Sequence, residues 1–519
     1  MKLQRPKSWE TSKLGELAVL VLGGDWGEAS TFDSPEYQKA LCIRGSEFRN
    51  WDVDKGSTAV FRKIKKSSLS SRTLKEGDIL VEISGGGPEQ PVGRTVVIDR
   101  AAIMRAPDVP KICTNFVRLL RTVENVDSKY INYYLVFFYK SGKIVAYQAG
   151  SNNLRNLKFK DYLNIDIPIP TLAEQHRIVE KIEELFSELD KGIENLTAAR
   201  ERLVHYRQAV LKSAFEGGLT KGWRINHQSA NRGLGGLKNQ ILCERRDKFS
   251  QALTKWEAAG KEGSKPKPPK LISVDSSKDL TFLPKLPEGW SWEKIGNLAH
   301  VGTGVTPLKG RTDFYEGGQI PWVTSGALNN NFVKEASNYV TTAALIETGL
   351  KIYPKNTLLV AMYGEGKTRG KCSELLIDAT INQAIAAIVF EGSAERFSKY
   401  VKLFFQKNYS EIRLKSSGGV QPNLNLGIIE NTYVPLSPVE EMEEIVSEVD
   451  AVLSRIDEIE GIVDASVQQI NTLRQSILQK AFSGKLVSQD SNDEPASKLL
   501  ARIKAEIANS KPSKKKKAA

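Results

Sequence analysis

The chain carries the same long helical stretch twice. Residues 172 to 215 read LAEQHRIVEKIEELFSELDKGIENLTAARERLVHYRQAVLKSAF, without proline and with a single glycine, Gly192. Apolar side chains recur at Ile178, Ile182, Leu185, Leu189, Ile193 and Leu196, then at Leu203, Val210 and Ala214. Steps of three and four put them on one stripe of an α-helix. At about 1.5 Å per residue the stretch predicts a rod of roughly 66 Å, against the ~11–12 residues of an ordinary globular helix. A rod of that length needs a partner for its stripe. The chain supplies one. Pro168, Leu172, Glu174, Ile182, Leu189-Asp190, Arg207-Gln208, Ala214-Phe215 and Gly217 recur 267 positions later as Pro435, Val439, Glu441, Val449, Ile456-Asp457, Arg474-Gln475, Ala481-Phe482 and Gly484. About fifty positions align without a gap, the mark of an internal duplication. Two rods of equal length can pack antiparallel, stripe to stripe, around a pseudo-two-fold axis.

The rest of the chain is duplicated around the rods. Residues 1–170 form a first globular unit that opens on Pro6-Lys7-Ser8-Trp9 and Leu14-Gly15-Glu16-Leu17-Ala18. Its short β-branched runs, separated by Gly, Pro, Asn and Asp, predict a mixed unit with much strand. The run Tyr130 to Tyr139 (YINYYLVFFY) is a buried helix or a strand, and periodicity does not separate the two. The first rod occupies 171–221. A charged helix over Gly236 to Ala258 and the linker Gly260 to Pro269 (GKEGSKPKPP) fill 222–286. The second unit, 287–436, opens on Pro287-Glu288-Gly289-Trp290, 281 positions after the first opening. The second rod spans 437–487. A trailing helix over Glu494 to Ile507 and a basic tail, Lys514 to Lys517, occupy 488–519, with Ile503 and Glu506 aligned on Ile241 and Glu244. The fold class is therefore α+β: two mixed α/β units separated by two long antiparallel coiled-coil helices. The frame repeats closely while the unit interiors match only in outline, which suggests two related but different targets.

The formal net charge of +13 and pI near 9.2 favour a polyanionic partner, nucleic acid first. No apolar run approaches the ~18 residues of a membrane span, and the opening MKLQRPKSWE lacks the apolar core of a signal peptide. The four cysteines, Cys42, Cys113, Cys243 and Cys372, form no C-x-x-C pair and only four histidines exist. A disulfide scaffold or zinc site is not expected, and a reducing cytoplasm is.

These features together resemble the specificity (S) subunit of type I restriction-modification systems. The resemblance rests on the Pro-x-x-Trp openings at Trp9 and Trp290 and on the Ile-Val-rich helices after Pro168 and Pro435. It rests also on the Arg-Gln-x-x-Leu-x-x-Ala-Phe-x-Gly endings at Arg207 to Gly217 and Arg474 to Gly484, and on the Gly-rich segment Leu358 to Lys371 followed by Asn382-Gln383. It implies two target recognition domains, each binding one half of a split, asymmetric site on double-stranded DNA, with the rods as conserved regions. It implies no catalysis and no cofactor on this chain. S-adenosylmethionine belongs to methyltransferase (M) subunits, two of them, and ATP and Mg to restriction (R) subunits, in a system of DNA methylation and host defence without a membrane partner.

Base reading calls for Arg or Lys against guanine and Asn or Gln against adenine, although most such contacts fall on phosphates. In the first unit Arg62, Lys63, Lys65, Lys66, Arg72 and Arg94 are the candidates, and in the second Lys309, Lys367, Arg369 and Lys371. The loops before the rods add Asn152, Asn153, Arg155, Gln421 and Asn423. Each is equally readable as a solvated surface charge. On the first rod Glu180, Glu183, Glu184 and Glu188 form a face for partner subunits. Ala361 to Thr368 (AMYGEGKT) is near a phosphate-binding P-loop, but its first glycine is replaced by Ala361 and the following residues predict turn and strand rather than the required helix. An Asn/Asp-Pro-Pro-Tyr/Phe motif for adenine methylation is absent, and His176 and His205 lie too far apart on the rod to share a ligand. The competing reading from another class is a coiled-coil assembly scaffold that binds DNA without specificity.

Overall fold

The computed structural model describes residues 5–87, 90–150, 155–227, 234–262, 265–269, 271–273, 283–364, 367–414 and 423–510. Asn152, Asn153, Gln421 and the basic tail lie outside them. Two compact units emerge, one of residues 1–197 with 464–519, the other of residues 198–463. Each unit thus combines one globular segment with parts of both rods.

The rods are α-helices over Leu172–Phe215 and Val439–Phe482, 44 residues each. Thr171 starts the first, its Oγ1 accepting the Glu174 N–H at 3.1 Å. Both rods stop in the same motif. Gly217 and Gly484 take left-handed φ of 74° and 70°. The Gly217 and Gly218 N–H groups donate to the Ala214 and Ser213 carbonyls, and Gly484 and Lys485 repeat this onto Ala481 and Lys480. The last carbonyls are so satisfied by a glycine turn that no Cβ-bearing residue adopts without strain.

The stripe of the first rod is buried most deeply at its ends, while the second rod also buries Ile456 and Val463 near its middle. In the first unit Ile178, Val179, Ile182, Leu478, Ala481 and Phe482 join one core with the globular segment. In the second, Val210, Leu211, Ala214 and Phe215 do so with Val439, Met442, Ile445 and Val449. The mid-rod positions Leu189, Ile193 and Leu196 are half-buried. Within the first unit Arg474 pairs with Asp190 and sits 5.3 Å over the Phe186 ring, and a Cβ at Gly192 would lie 3.5 Å from Ile470. Contacts that advance along one rod retreat along the other. Within the second unit Arg207 pairs with Asp457, the same pair of residue types 267 positions away.

The Pro-x-x-Trp openings and Ala-Phe-x-Gly endings meet each other. In the first unit the Trp9 Nε1–H donates to the buried Glu174 carboxylate at 3.0 Å, and in the second Trp290 donates to Glu441 at 2.9 Å. Pro6 lies against Gly484, and Pro287 against Gly217, so closely that a Cβ on either glycine would stand 2.3 Å from the proline ring. The aromatic run 130–139 is helix: it lies in Ser128–Lys140, capped by Asp127, whose carboxylate accepts the Lys129 and Tyr130 N–H groups. Tyr130 stacks edge-on with Phe482, and its hydroxyl donates to the Pro168 carbonyl at 2.9 Å. In the other unit Tyr400, on the helix Ser398–Lys407, meets Phe215 and donates to Pro435 at 2.7 Å.

The trailing helices are Leu234–Ala258 and Ala496–Ser510, and the aligned Ile241 and Ile503 are both buried. Glu244 caps the Ser393 N–H, and Glu506 the Glu124 N–H, each at 3.0 Å. A short helix, Lys221–Asn226, follows the first rod unannounced by the sequence.

Each globular segment holds a main sheet and a small outer sheet. The first has a main antiparallel sheet in the order Ala18–Gly23, Val117–Thr122, Ile79–Glu82, Thr95–Val97, and an outer sheet in the order Val60–Lys65, Tyr37–Ile43, Lys111–Cys113. The second has a five-stranded main sheet, ordered His300–Thr303, Ile385–Val389, Leu358–Ala361, Cys372–Leu375, Phe332–Val333. Its outer sheet is ordered Asn338–Val340, Ile320–Val323, Thr380–Ile381. In both outer sheets the middle strand pairs antiparallel on one side and parallel on the other.

Candidate nucleic-acid interface

In each unit the loops converge on one end of the main sheet. In the second, strand Leu358–Ala361 ends where Ile385–Val389 begins, beside the end of His300–Thr303. The loop that leaves Thr303 starts at Gly304, where a Cβ would stand 1.6 Å from the Ile381 carbonyl oxygen. The Thr306 hydroxyl bonds the Gln383 side chain, the Met362 N–H donates to the Ala384 carbonyl at 2.8 Å, and Leu424 N–H donates to Met362 at 3.1 Å. Lys309, Lys367 and Asn423 therefore stand on loops of one cluster, with Lys309 and Lys367 exposed.

The Gly-rich segment is a hairpin and not a P-loop. After Gly370 the chain enters strand Cys372–Leu375, which pairs antiparallel with Leu358–Ala361. A phosphate loop needs its backbone amides at the start of a helix, and a strand follows instead. The turn is held from outside. Tyr409 Oη–H donates to the Lys367 carbonyl at 2.6 Å and an Arg413 N–H to the Arg369 carbonyl at 2.8 Å. Asn329 Oδ1 accepts from Thr368 Oγ1 at 3.2 Å and from Lys371 Nζ at 3.0 Å. Arg369 is half-buried.

The first unit repeats the plan with other residues. Gly24 leaves its strand with room for no Cβ, 2.1 Å from the Cys113 carbonyl oxygen. Ile83 N–H donates to Phe116, and Leu157 N–H to Ile83, both at 2.9 Å, so strands 84–86 and 155–157 join the same end. Arg155 is half-buried there, in a strand that pairs with Ser84–Gly86.

Three arginines proposed for this unit bind the protein's own carbonyls and carboxylates. Arg62 donates to the Trp26 and Gly27 carbonyls at 2.9 and 3.1 Å. Arg72 donates to the Gly23 carbonyl at 2.9 Å and to Ser68 Oγ at 3.1 Å. Arg94 pairs with the buried Glu82 carboxylate at 2.6 Å and donates to the Gly45 carbonyl at 2.8 Å. Arg62 and Arg72 brace the loop after Gly23. Lys65 pairs with Glu36 at 3.5 Å with both side chains exposed, a contact of small energy. Lys63 is half-buried and Lys66 exposed. On the first rod Glu183 is tied to Lys129 at 2.8 Å and Glu184 to Lys181 at 2.8 Å, while Glu180 and Glu188 are exposed.

Three residues not singled out in the sequence belong to the same surface: Trp26, Lys39 and Phe61. A signal for the first existed in Gly24-Asp25-Trp26-Gly27, a tryptophan between glycines where no core strand can pass. For the others it lay in the alternation of Tyr37 to Ile43 and Val60 to Lys65, which leaves one face polar.

Among the described residues no helix is long and apolar enough to cross a membrane. A sequence profile described as the type I restriction modification DNA specificity domain matches residues 6–198 and 287–467. The chain is 24% identical to the type I restriction enzyme StySPI specificity subunit of Salmonella potsdam, over 99% of both chains. It is also 24% identical to the EcoKI specificity subunit of Escherichia coli K12, over 97% of both. A solved chain from work on complex assembly and conformational transition of the type I R-M system superimposes with a TM-score of 0.63 at 17% identity. That match covers 94% of this chain and 100% of the other. With the specificity domain matched twice, across well over half of its length, the chain belongs to the type I restriction-modification DNA specificity family.

Proposed function

We propose that this chain is the DNA-reading, non-catalytic specificity subunit of a type I restriction-modification complex in the cytoplasm. Each globular segment reads one half of a split, asymmetric site on duplex DNA. The two rods pack as an antiparallel coiled coil about a pseudo-two-fold axis and set the gap between the halves. Two methyltransferase subunits dock on the frame, in part on the exposed Glu180 and Glu188 of the first rod, and restriction subunits join through them. S-adenosylmethionine, ATP and Mg are held by those partners.

One observation carries this reading. The frame contacts repeat residue for residue, Trp9–Glu174 as Trp290–Glu441 and Tyr130–Phe482 as Tyr400–Phe215, while the basic candidates differ between the loops of the two units, with Asn156 and Asn423 the shared pair. A constant frame around divergent loops suits one reader of two different sequences. Lys309 and Lys367 in one unit, and Lys63 and Lys66 in the other, are the basic groups best placed to reach DNA.

The experiment is competition at fixed salt. The complex is challenged with its own methylation site in the presence of excess random duplex. Specific complexes run about 10³-fold or more tighter than non-specific ones, so binding to the site survives. A scaffold with non-specific affinity loses the site to the competitor in proportion to its mass.

A further inference from the structure

The outer sheet of the first unit has an aromatic and basic face that its counterpart in the second unit lacks. Strands Tyr37–Ile43 and Val60–Lys65 pair antiparallel, with Tyr37 opposite Lys65, Lys39 opposite Lys63 and Leu41 opposite Phe61. Alternation places these residues on one side of the sheet. The other side holds Ala40, Cys42 and Ile64 in a buried cluster. On the outer side Phe61 is 42% exposed, with the Lys39 ammonium 4.1 Å from its ring centre.

The loop after Gly24 runs along the edge of this sheet, bridged to it where Glu28 pairs with Lys63. It carries Trp26, 36% exposed, and Phe32, 40% exposed. Trp26 is held in place. The Arg62 guanidinium lies 4.3 Å over the indole while donating to the Trp26 and Gly27 carbonyls. Exposed aromatics clustered on one surface mark contact surfaces. Lysines are depleted from the cores of protein–protein interfaces, yet here they alternate with the rings. Lys65 pairs with Glu36 at the border of the face, and Lys39 and Lys63, opposite each other, are its remaining basic groups. Aromatic rings interleaved with lysines suit nucleic acid, whose sugars pack on apolar rings and whose phosphates pair with ammonium groups. The equivalent strands of the second unit, Ile320–Val323 and Asn338–Val340, contain no lysine or arginine.

We propose that the first unit grips its half-site on this outer face and its edge, with Phe61 on the face and Trp26 at the edge packed against the DNA sugars, and with Lys39 and Lys63 on phosphates. Arg62 is the positioning residue for Trp26. The second unit holds its half-site without an equivalent face, on the loops that carry Lys309 and Lys367. This rests on the specificity-subunit reading above.

The test uses the full chain with its methyltransferase partners and a duplex carrying the mapped methylation site, titrated across a salt series. Trp26→Ala is expected to weaken binding about ten-fold or more without changing the salt slope. The double variant Lys39→Gln/Lys63→Gln is expected to lower the slope of log K against log salt by about 1.8. Lys191→Gln, an exposed rod lysine, serves as a control and should leave both unchanged. Thermal melts identify any variant that fails to fold, and Phe61→Ser, at an exposed position, provides a second aromatic removal. Wild-type affinity and slope in all the face variants, with wild-type preference for the split site intact, overturn the proposal and leave the DNA reading standing. Normal DNA binding with loss of co-purifying methyltransferase overturns it in favour of a protein interface. A wild-type complex with no preference for the split site overturns the specificity reading and this proposal together.

Discussion

Two buried glutamates show how a duplicated frame can be stabilised in two ways. Glu441 accepts from Trp290, Thr220 and Arg224, the arginine at 2.7 Å, and is fully buried. Glu174 occupies the same place against Trp9, but the arginine near it, Arg177, pairs with Asp493 instead. Burial pushes the Glu174 carboxyl above the usual range, partly offset by the Trp9 hydrogen bond. The folded chain then holds that proton more tightly than the unfolded chain. The stability involved is present below the unfolded pKa of about 4.3 and is lost as pH rises through the higher folded value. Glu174→Gln keeps an acceptor for Trp9 and abolishes the titration, so the variant should gain on wild type in melting temperature as pH rises above about 4.3. Glu441→Gln strands Arg224 and should cost about 3 kcal/mol at neutral pH. Equal responses of the two variants would contradict the assignment. None of this was visible in the sequence. Trp9 and Glu174 stand far apart in the chain, and their alignment with Trp290 and Glu441 marked both pairs as repeated without joining them. The same distance hid the roles of Arg62, Arg72 and Arg94, whose partners lie in other strands and loops.

The rods were the most legible elements. Their periodicity and the gapless repeat predicted both, and the helices span Leu172–Phe215 and Val439–Phe482. A helix of this length is decided by its own stripe and its glycine stop, both local. The run 130–139 was undecided because nearly all its residues are apolar. Helix won through its Asp127 cap and the Tyr130 bond to Pro168, the second a tertiary contact. The loops at the sheet ends were legible as loops, through Gly24, Gly304 and Gly370, while the residues that hold them in place were not. If the rods set the gap between half-sites, adding one helical turn to both, about four residues or ~5.4 Å, should lengthen it by one or two base pairs. DNA rises about 3.4 Å per base pair. The half-site sequences should stay the same. An unchanged gap in a folded, active complex would show that the rods do not measure it.

The whole chain is two closed units, each drawing a rod segment from either half of the sequence, so that neither half of the polypeptide completes a unit by itself. The beginning of the chain packs on the end of the second rod at Pro6 and Gly484, and the opening of the second half packs on the end of the first rod at Pro287 and Gly217. This arrangement lets the loops diverge while the tryptophan–glutamate, tyrosine–phenylalanine and proline–glycine contacts of the frame are kept in both units. It also explains why the family resemblance lay in the openings, rods and endings, where the frame contacts are, and why the bases recognised are not written in any of those motifs. Two units that read two different half-sites at a fixed separation leave a defined pattern in methylated DNA. The most direct test is to map methylated adenines across the DNA of cells that carry this chain with its methyltransferase subunits, against cells that lack only this chain. One asymmetric motif of two short specific halves and a constant unspecified gap, present only with the chain, is the expected result. Methylation at one uninterrupted motif, at halves with a variable gap, or unchanged when the chain is removed would contradict it.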